Sequence, residues 1–158
     1  MQQTIKLSLP TVPQFYEKFV WSTGGHSAAA GHGNLYNESY TAFIQRAAKP
    51  MFSALGLDFE ARNYAMGGMD STPHIALCQE AIFGVDADVI SWDFGMTDGR
   101  AFWKTNFYAN RVGMHTRRPT HISLGIEGRQ FNQRREAIRT AEDMGVPAMY
   151  FNPSIWEE

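Results

Sequence analysis

A serine lies in a glycine-rich turn near the beginning of the sequence, and serine is a side chain that enzymes use as a nucleophile. The stretch is GGHSAAAG, Gly24–Gly31, and its serine is Ser27. It follows an apolar run, as expected of a turn between a strand and a helix. A serine there attacks a substrate only when a base takes its proton; otherwise it is a small residue suited to a tight turn.

Two further glycine-containing segments could contribute to the same chemistry. They are NYAMGG, at 63–68, and DFGMTD, at 93–98. Backbone N–H groups in such turns can bind the negative oxygen that develops during acyl transfer. Whether they help Ser27 depends on the elements that position the three segments.

Short apolar runs alternate along the chain with segments of helical periodicity. The strand at 87–95 is apolar enough to be central, whereas 58–65 alternates as an edge strand does. Pro50 should kink or divide the helix that contains it. Strands are predicted at 18–23, 58–65, 87–95, 120–126 and 147–152, and helices at 38–55, 74–83, 101–112 and 132–145.

This alternation predicts an α/β fold with a parallel sheet covered by helices on both faces. The natural arrangement is a three-layer, flavodoxin-like sandwich with a five-stranded sheet in the order 2-1-3-4-5. We assign 1–16 to an N-terminal extension and 17–158 to the domain. In this order the turns after strands 2, 1 and 3 meet at one edge, where such folds bind their ligands.

The three turns resemble the first three sequence blocks of the SGNH (GDSL-type) hydrolases. GHSAAAG keeps the family spacing between serine and glycine, with Ser27 and Gly31. NYAMGG is similar to the second block, with Gly67 at the glycine position, and GMTD is similar to the third, with Thr97 at the asparagine position. The longer run TGGHSAAAGHGNLYNESY is similar to SGNH-type domains of algae and other microbial eukaryotes. The resemblance spans residues 17–152 and implies a nucleophile at Ser27 and an oxyanion hole at Ser27, Gly67 and Thr97.

Three departures from the family pattern bear on activity. His26 stands where the family has aspartate, and Thr97 replaces the oxyanion-hole asparagine. The family's last block, Asp-x-x-His after the fifth strand, supplies the base and its orienting acid, and this sequence contains no such motif. We therefore expect the domain to stop short of that block, just after the fifth strand.

Another histidine would then have to act as the base. His74 follows the second glycine turn and is the candidate surrogate, whereas His26 adjoins Ser27 and His32 lies five residues further on. His26 and His32 without a third ligand do not make a metal site, so neither a metal nor a cofactor is expected. His115 and His121 flank the fourth predicted strand and are interpreted as structural. Asp93 and Asp98 do not make a convincing acid pair.

Composition excludes some classes of partner. The net charge of −2 gives no reason to expect nucleic acid, and no apolar run approaches the roughly 20 residues of a membrane span. Cys78 is the single cysteine, so an internal disulfide is excluded. The N-terminus lacks the apolar core of a secretory signal. The sequence leaves the compartment undetermined, with an intracellular or organellar location as the expectation. Nine of the fourteen Lys and Arg residues lie between Arg100 and Arg139, beside many aromatic residues.

Two functions remain in competition. The first is an SGNH-like domain that has lost catalysis and serves as a structural or accessory subunit, binding a protein partner through the Arg- and aromatic-rich region 100–139. The second is a serine esterase acting on small acyl esters, with its base at His74, at His32 or in a missing C-terminal segment. A third hypothesis, nucleotide binding, has less support, because GGHSAAAGHG lacks both the Gly-x-Gly-x-x-Gly spacing and a P-loop lysine.

Overall fold

The computed structural model of the chain describes residues 17–99, 101–124 and 131–151. These residues form one parallel sheet of five strands with helices on both faces. The strands are β1 (Lys18–Gly25), β2 (Asp58–Asn63), β3 (Val89–Asp93), β4 (Thr120–Leu124) and β5 (Ala148–Phe151). The helices are α1 (Tyr40–Ala54), α2 (His74–Leu77), α3 (Gln79–Phe83), α4 (Phe102–Met114) and α5 (Phe131–Asp143), with a 3₁₀ turn at Tyr36–Glu38.

The strand order is β2-β1-β3-β4-β5, and all neighbouring strands are parallel. This confirms the predicted fold class and order, including β2 at an edge and β3 in the centre. The register pairs Thr23 of β1 with Asn63 on one side and with Ser91 on the other. The carboxyl ends of β2, β1 and β3 therefore finish side by side, and the three glycine turns leave the sheet at the same edge.

Alternate residues of β1 face different helices. On one face, the hydroxyl of Thr41 in α1 lies 3.0 Å from the hydroxyl of Thr23. On the other face, the Ser22 hydroxyl donates to the carbonyl of Phe83 at the end of α3. The second face carries most of the described apolar core, since α3, α4 and α5 cover it. Its largest fully buried side chains are Trp92, Tyr108, Phe83, Phe94 and Ile90.

One prediction about helices was wrong, and another was wrong in one of its two alternatives. The segment predicted as one helix at 74–83 is two short helices that meet at Cys78, whose φ of −105° and ψ of 25° depart from helical values. Pro50 does not divide α1, which runs through it to Ala54. Pro50 is exposed, so water can solvate the carbonyl that its missing N–H leaves without a helical partner.

The remaining predicted boundaries differ by a few residues, and β1 is longer than predicted because it continues into Gly24 and Gly25. The predicted strand ends at 125–126 and 152 and the predicted extension at 1–16 lie outside the described residues. In the described part of the chain, no helix has the length and apolar character that crossing a membrane requires.

Candidate active site

Ser27 lies two residues beyond the end of β1, in a tight turn at the carboxyl edge of the sheet. The turn closes through hydrogen bonds from Ala30 N to His26 O at 3.0 Å and from His32 N to Ser27 O at 2.9 Å. Gly25 is required at the entrance, because a Cβ there would lie 2.5 Å from the Cβ of Ala29. The close approach of strand and turn leaves Ser27 half-buried at the surface.

The segment after β2 runs alongside this turn and brings Gly67 to Ser27. Its backbone extends the β1 pairing, with Tyr64 N donating to Thr23 O at 2.9 Å and Met66 N donating to Gly25 O at 3.1 Å. A Cβ built at Gly67 would lie 3.7 Å from the Cβ of Ser27. Ser27 and Gly67, both predicted for the site, are therefore in close proximity.

Thr97 lies in the turn after β3, and its side chain is engaged within that turn. Its hydroxyl donates to the carbonyl of Phe94 at 3.3 Å, and the same carbonyl accepts the N–H groups of Thr97 and Asp98. The hydroxyl thus stabilises the turn in this conformation. It would have to give up that bond to donate to a substrate oxygen.

His26 is buried, and both of its ring nitrogens face protein groups. Nδ1 accepts the N–H of Ala28 at 3.1 Å, so the ring proton of the neutral side chain belongs on Nε2. Nε2 lies 3.7 Å from Oδ1 of Asp93, and the backbone of His26 donates to the Asp93 carbonyl. The imidazole therefore supplies the hydrogen-bond acceptor that a short acidic side chain offers in an Asx turn.

The other histidines take separate positions. His74 begins α2 and is exposed, and His32 is exposed at the far end of the Ser27 turn. Among the described residues, no hydrogen bond joins a histidine ring to Ser27. His115 binds the Gly84 carbonyl at 3.1 Å, and His121 lies within the sheet beside the Ser123 hydroxyl.

Asp98 is the residue at this edge whose role the sequence did not indicate. Its carboxylate is buried and accepts three hydrogen bonds, from Ser71 N at 2.8 Å, Ser71 Oγ at 2.5 Å and Trp92 Nε1 at 3.2 Å. Burial raises the pKa of Asp98, and the Ser71 hydrogen bonds act in the opposite direction. Asp93 and Asp98 thus belong to two separate networks, and the position directly after Thr97 is the sequence signal that could have identified Asp98.

Large apolar side chains surround the edge. Met66 follows β2 and is 49% exposed, whereas Met96 follows β3 and is 72% exposed. Phe102 and Trp103, at the beginning of α4, are also exposed. No group of three or more potential metal-ligating side chains occurs in the residues that the structure describes. The edge therefore combines a serine, glycine N–H groups and an apolar rim.

No family model and no curated protein matches the sequence. A structure of TesA matches with a TM-score of 0.59 and 15% identity, over 82% of this chain and 76% of that one. A two-domain esterase (CEX) active on acetylated mannans matches with a TM-score of 0.58 and 18% identity, over 86% of this chain and 38% of that one.

A third structure, AlinE4, is described as an SGNH-hydrolase family esterase. It matches with a TM-score of 0.55 and 16% identity, over 84% of this chain and 76% of that one. At these identities the likeness concerns the fold. Strand order, the position of the glycine turns and these structural neighbours agree, and the protein has an SGNH-hydrolase-like fold.

Proposed function

We propose that this chain is an SGNH-like domain that has lost catalysis and acts as an accessory subunit of a larger protein assembly. The observation that carries the proposal is that, among the described residues, no histidine ring is hydrogen-bonded to Ser27, and that His26, beside the serine, is engaged elsewhere. Its Nδ1 accepts the Ala28 N–H and its Nε2 faces Asp93, so the ring is built into the turn. In that arrangement His26 has no free nitrogen with which to take a proton from Ser27.

Thr97 supports the same proposal at the oxyanion position. Its hydroxyl donates to Phe94 within its own turn, where an asparagine side chain would reach towards the substrate. Loss of one such donor costs on the order of 10²–10³ in rate. A serine that lacks an oriented base is also a weak nucleophile at neutral pH.

The accessory role is supported by the surface of α4 and α5. Trp103 and Met114 of α4 are 61% and 62% exposed, and Arg135 and Arg139 of α5 are exposed. Exposed aromatic, Met and Arg side chains are the residue types enriched at protein interfaces. A partner with an acidic surface and apolar pockets would be complementary to this face.

Catalysis is tested with p-nitrophenyl acetate and a fluorophosphonate probe on purified protein and on a Ser27→Ala variant. We expect the same hydrolysis rate for both proteins and no labelling of Ser27. Labelling at Ser27, together with a rate that falls in the variant, would reject the loss of catalysis.

The accessory role needs its own experiment. The tagged chain would be purified from cells of its source, crosslinked and identified with its partner by mass spectrometry. We expect crosslinks from α4 and α5, and their loss in a Trp103→Asp, Arg135→Glu variant that remains folded. A matched Phe43→Asp variant, which changes an exposed side chain of α1, should retain them. Crosslinks retained in the first variant would argue against this surface.

The alternative function is a serine esterase that acts on small acyl esters. It is favoured by the proximity of Ser27 and Gly67, which places a serine beside a glycine turn able to donate N–H groups. The base would come from His74 or from residues outside this chain. Exposed Met66 and Met96 would suit an apolar acyl group. Labelling of Ser27 by the probe is the result that would favour this alternative.

A further inference from the structure

The Gly67–Gly68 turn has no side chains with which to hold its own position. A Cβ at Gly68 would meet nothing within 4 Å, and one at Gly67 would meet only Ser27. Both residues are exposed. The placement of these N–H groups must therefore come from the segments that flank the turn.

The flank before the turn is attached to β1 by the hydrogen bond from Met66 N to Gly25 O. The flank after it is attached elsewhere, to the turn that follows β3. There the buried Asp98 carboxylate accepts both the N–H and the hydroxyl of Ser71, while its second oxygen also accepts the Trp92 indole N–H. Ser71 is completely buried at this contact.

Neighbouring contacts attach the same flank to α4. Lys104 Nζ lies 2.5 Å from Oδ2 of Asp70, and the Thr72 hydroxyl donates to the Lys104 carbonyl at 3.4 Å. These contacts are partly exposed or long, and exposed ion pairs contribute little. The Asp98 contacts are buried and charge-assisted, so they hold this flank more strongly than the Asp70 and Thr72 contacts do.

Burying a carboxylate costs free energy unless its oxygens are satisfied. Burial raises the pKa of Asp98, while the hydrogen bonds from Ser71 favour its charged form. A neutral side chain could fill the volume, but only a carboxylate offers acceptors to all three donors. Asparagine would present its N–H₂ group either to both the Ser71 hydroxyl and the Trp92 indole or, in the flipped orientation, to the Ser71 N–H.

We propose that Asp98 is a positioning residue, whose carboxylate holds the Gly67–Gly68 turn beside Ser27 by fixing Ser71. The role belongs to the geometry of this edge and does not depend on whether Ser27 turns over an ester. It joins the second glycine turn to the third, so that the N–H groups at Gly67 and Gly68 are held in place before any ligand arrives.

The test is amide hydrogen exchange, followed by NMR, in the full chain and its Asp98→Asn variant. We expect exchange at Met66 and Ser71, whose N–H groups are hydrogen-bonded, to become at least tenfold faster, while amides of β1 and β3 retain their wild-type rates. Glu80→Gln is the matched control, because the Glu80 carboxylate accepts two hydrogen bonds from Thr116 away from this edge. That control should leave residues 66–72 unchanged.

A Ser71→Ala variant guards against failure of Asp98→Asn to fold, since it removes one donor and keeps the backbone bond. A smaller acceleration confined to the same residues is expected. Unchanged exchange at 66–72, or a parallel rise throughout the sheet, would overturn the proposal in either variant.

Fluorophosphonate labelling separates this inference from the question of activity. Where wild-type Ser27 is labelled, the rate should fall at least tenfold in Asp98→Asn, because the phosphoryl oxygen needs the same N–H donors. Where wild-type Ser27 is not labelled, the exchange at Met66, whose N–H donates to the Gly25 carbonyl, alone decides the positioning role.

Discussion

At the scale of single residues, His26 shows how an imidazole can serve a turn in which the resemblance predicts a carboxylate. The carboxylate expected from the resemblance is replaced by an imidazole whose Nδ1 accepts the Ala28 N–H. The position still supplies an acceptor, and its other nitrogen now faces Asp93. An aspartate here would instead place a second carboxylate close to Asp93.

The acceptor role of His26 predicts an order of stability among variants. His26→Asn keeps a short acceptor for the Ala28 N–H and should stay within about 0.5 kcal/mol of wild type, whereas His26→Leu should lose about 1 kcal/mol or more. Urea denaturation at neutral pH measures both free energies of unfolding. Equal losses in the two variants would show that the imidazole acts through packing rather than through its acceptor.

At the scale of elements, the edge strand β2 is attached to the rest of the sheet by more than its backbone. Arg62 donates two hydrogen bonds to Asp86, just before β3, at 2.7 and 2.8 Å. It also donates two to Glu60, within β2, each at 3.0 Å. The hydrogen bonds from Arg62 lower the pKa of Asp86. Hydrogen bonds from Arg62 and Lys18 together lower the pKa of Glu60 to about 2.

Replacing Arg62 by lysine should weaken this attachment, because a single ammonium cannot bind both carboxylates with paired hydrogen bonds. The carboxylates are more than a third exposed, so solvent screening limits the expected loss to about 1 kcal/mol. Chemical denaturation of Arg62→Lys measures it. Lys18→Ala removes an exposed ion pair to the same Glu60 and is the control, with a smaller expected loss of stability. A loss in the control as large as that in Arg62→Lys would contradict the importance of the paired geometry.

At the scale of the whole molecule, the core beneath α4 and α5 contains a buried imidazole. His121 of β4 is completely buried, its Nε2 lies 3.2 Å from the Ser123 hydroxyl, and its ring centre lies 6.0 Å from that of Tyr108. Burial lowers the pKa of His121 to about 4. The folded protein therefore keeps this histidine neutral at a pH where an unfolded chain protonates it.

This difference predicts a loss of stability on acidification. An unfolded histidine has a pKa of about 6.5, so between about pH 6.5 and pH 4 the unfolded state takes up a proton that the folded state refuses. Above that range, protonation of His121 does not reduce the free energy of unfolding. As the pH falls through the range, this ionisation lowers the free energy of unfolding by about 2 kcal/mol between pH 7 and pH 5.

Comparison with His121→Leu isolates the contribution of His121, since other titrating groups are shared by the two proteins. The free energy of unfolding of the variant should decline less than that of wild type over this range. Parallel pH profiles for the two proteins would contradict the prediction.

Much of the fold could be predicted because its signals are local. Apolar runs mark β1 and β3 and helical periodicity marks α1, and alternation of the two leaves few strand orders. The break at Cys78 had no such signal, since it depends on distant contacts: the Gln79 amide donates to the Tyr108 carbonyl, and the Phe83 carbonyl accepts from Ser22. Tertiary contacts override local helical preference in so short a segment.

By itself, the sequence determined the parallel sheet, its strand order and the meeting of three glycine turns at one edge, because these follow from local pattern and chain topology. Only the tertiary structure decided what the side chains at that edge do. His26 turns its ring into the protein, Thr97 donates to its own turn, and Asp98 fixes Ser71. The physical reason is that a hydrogen bond depends on distance and direction to within a few tenths of an ångström, whereas residue spacing along the chain specifies neither.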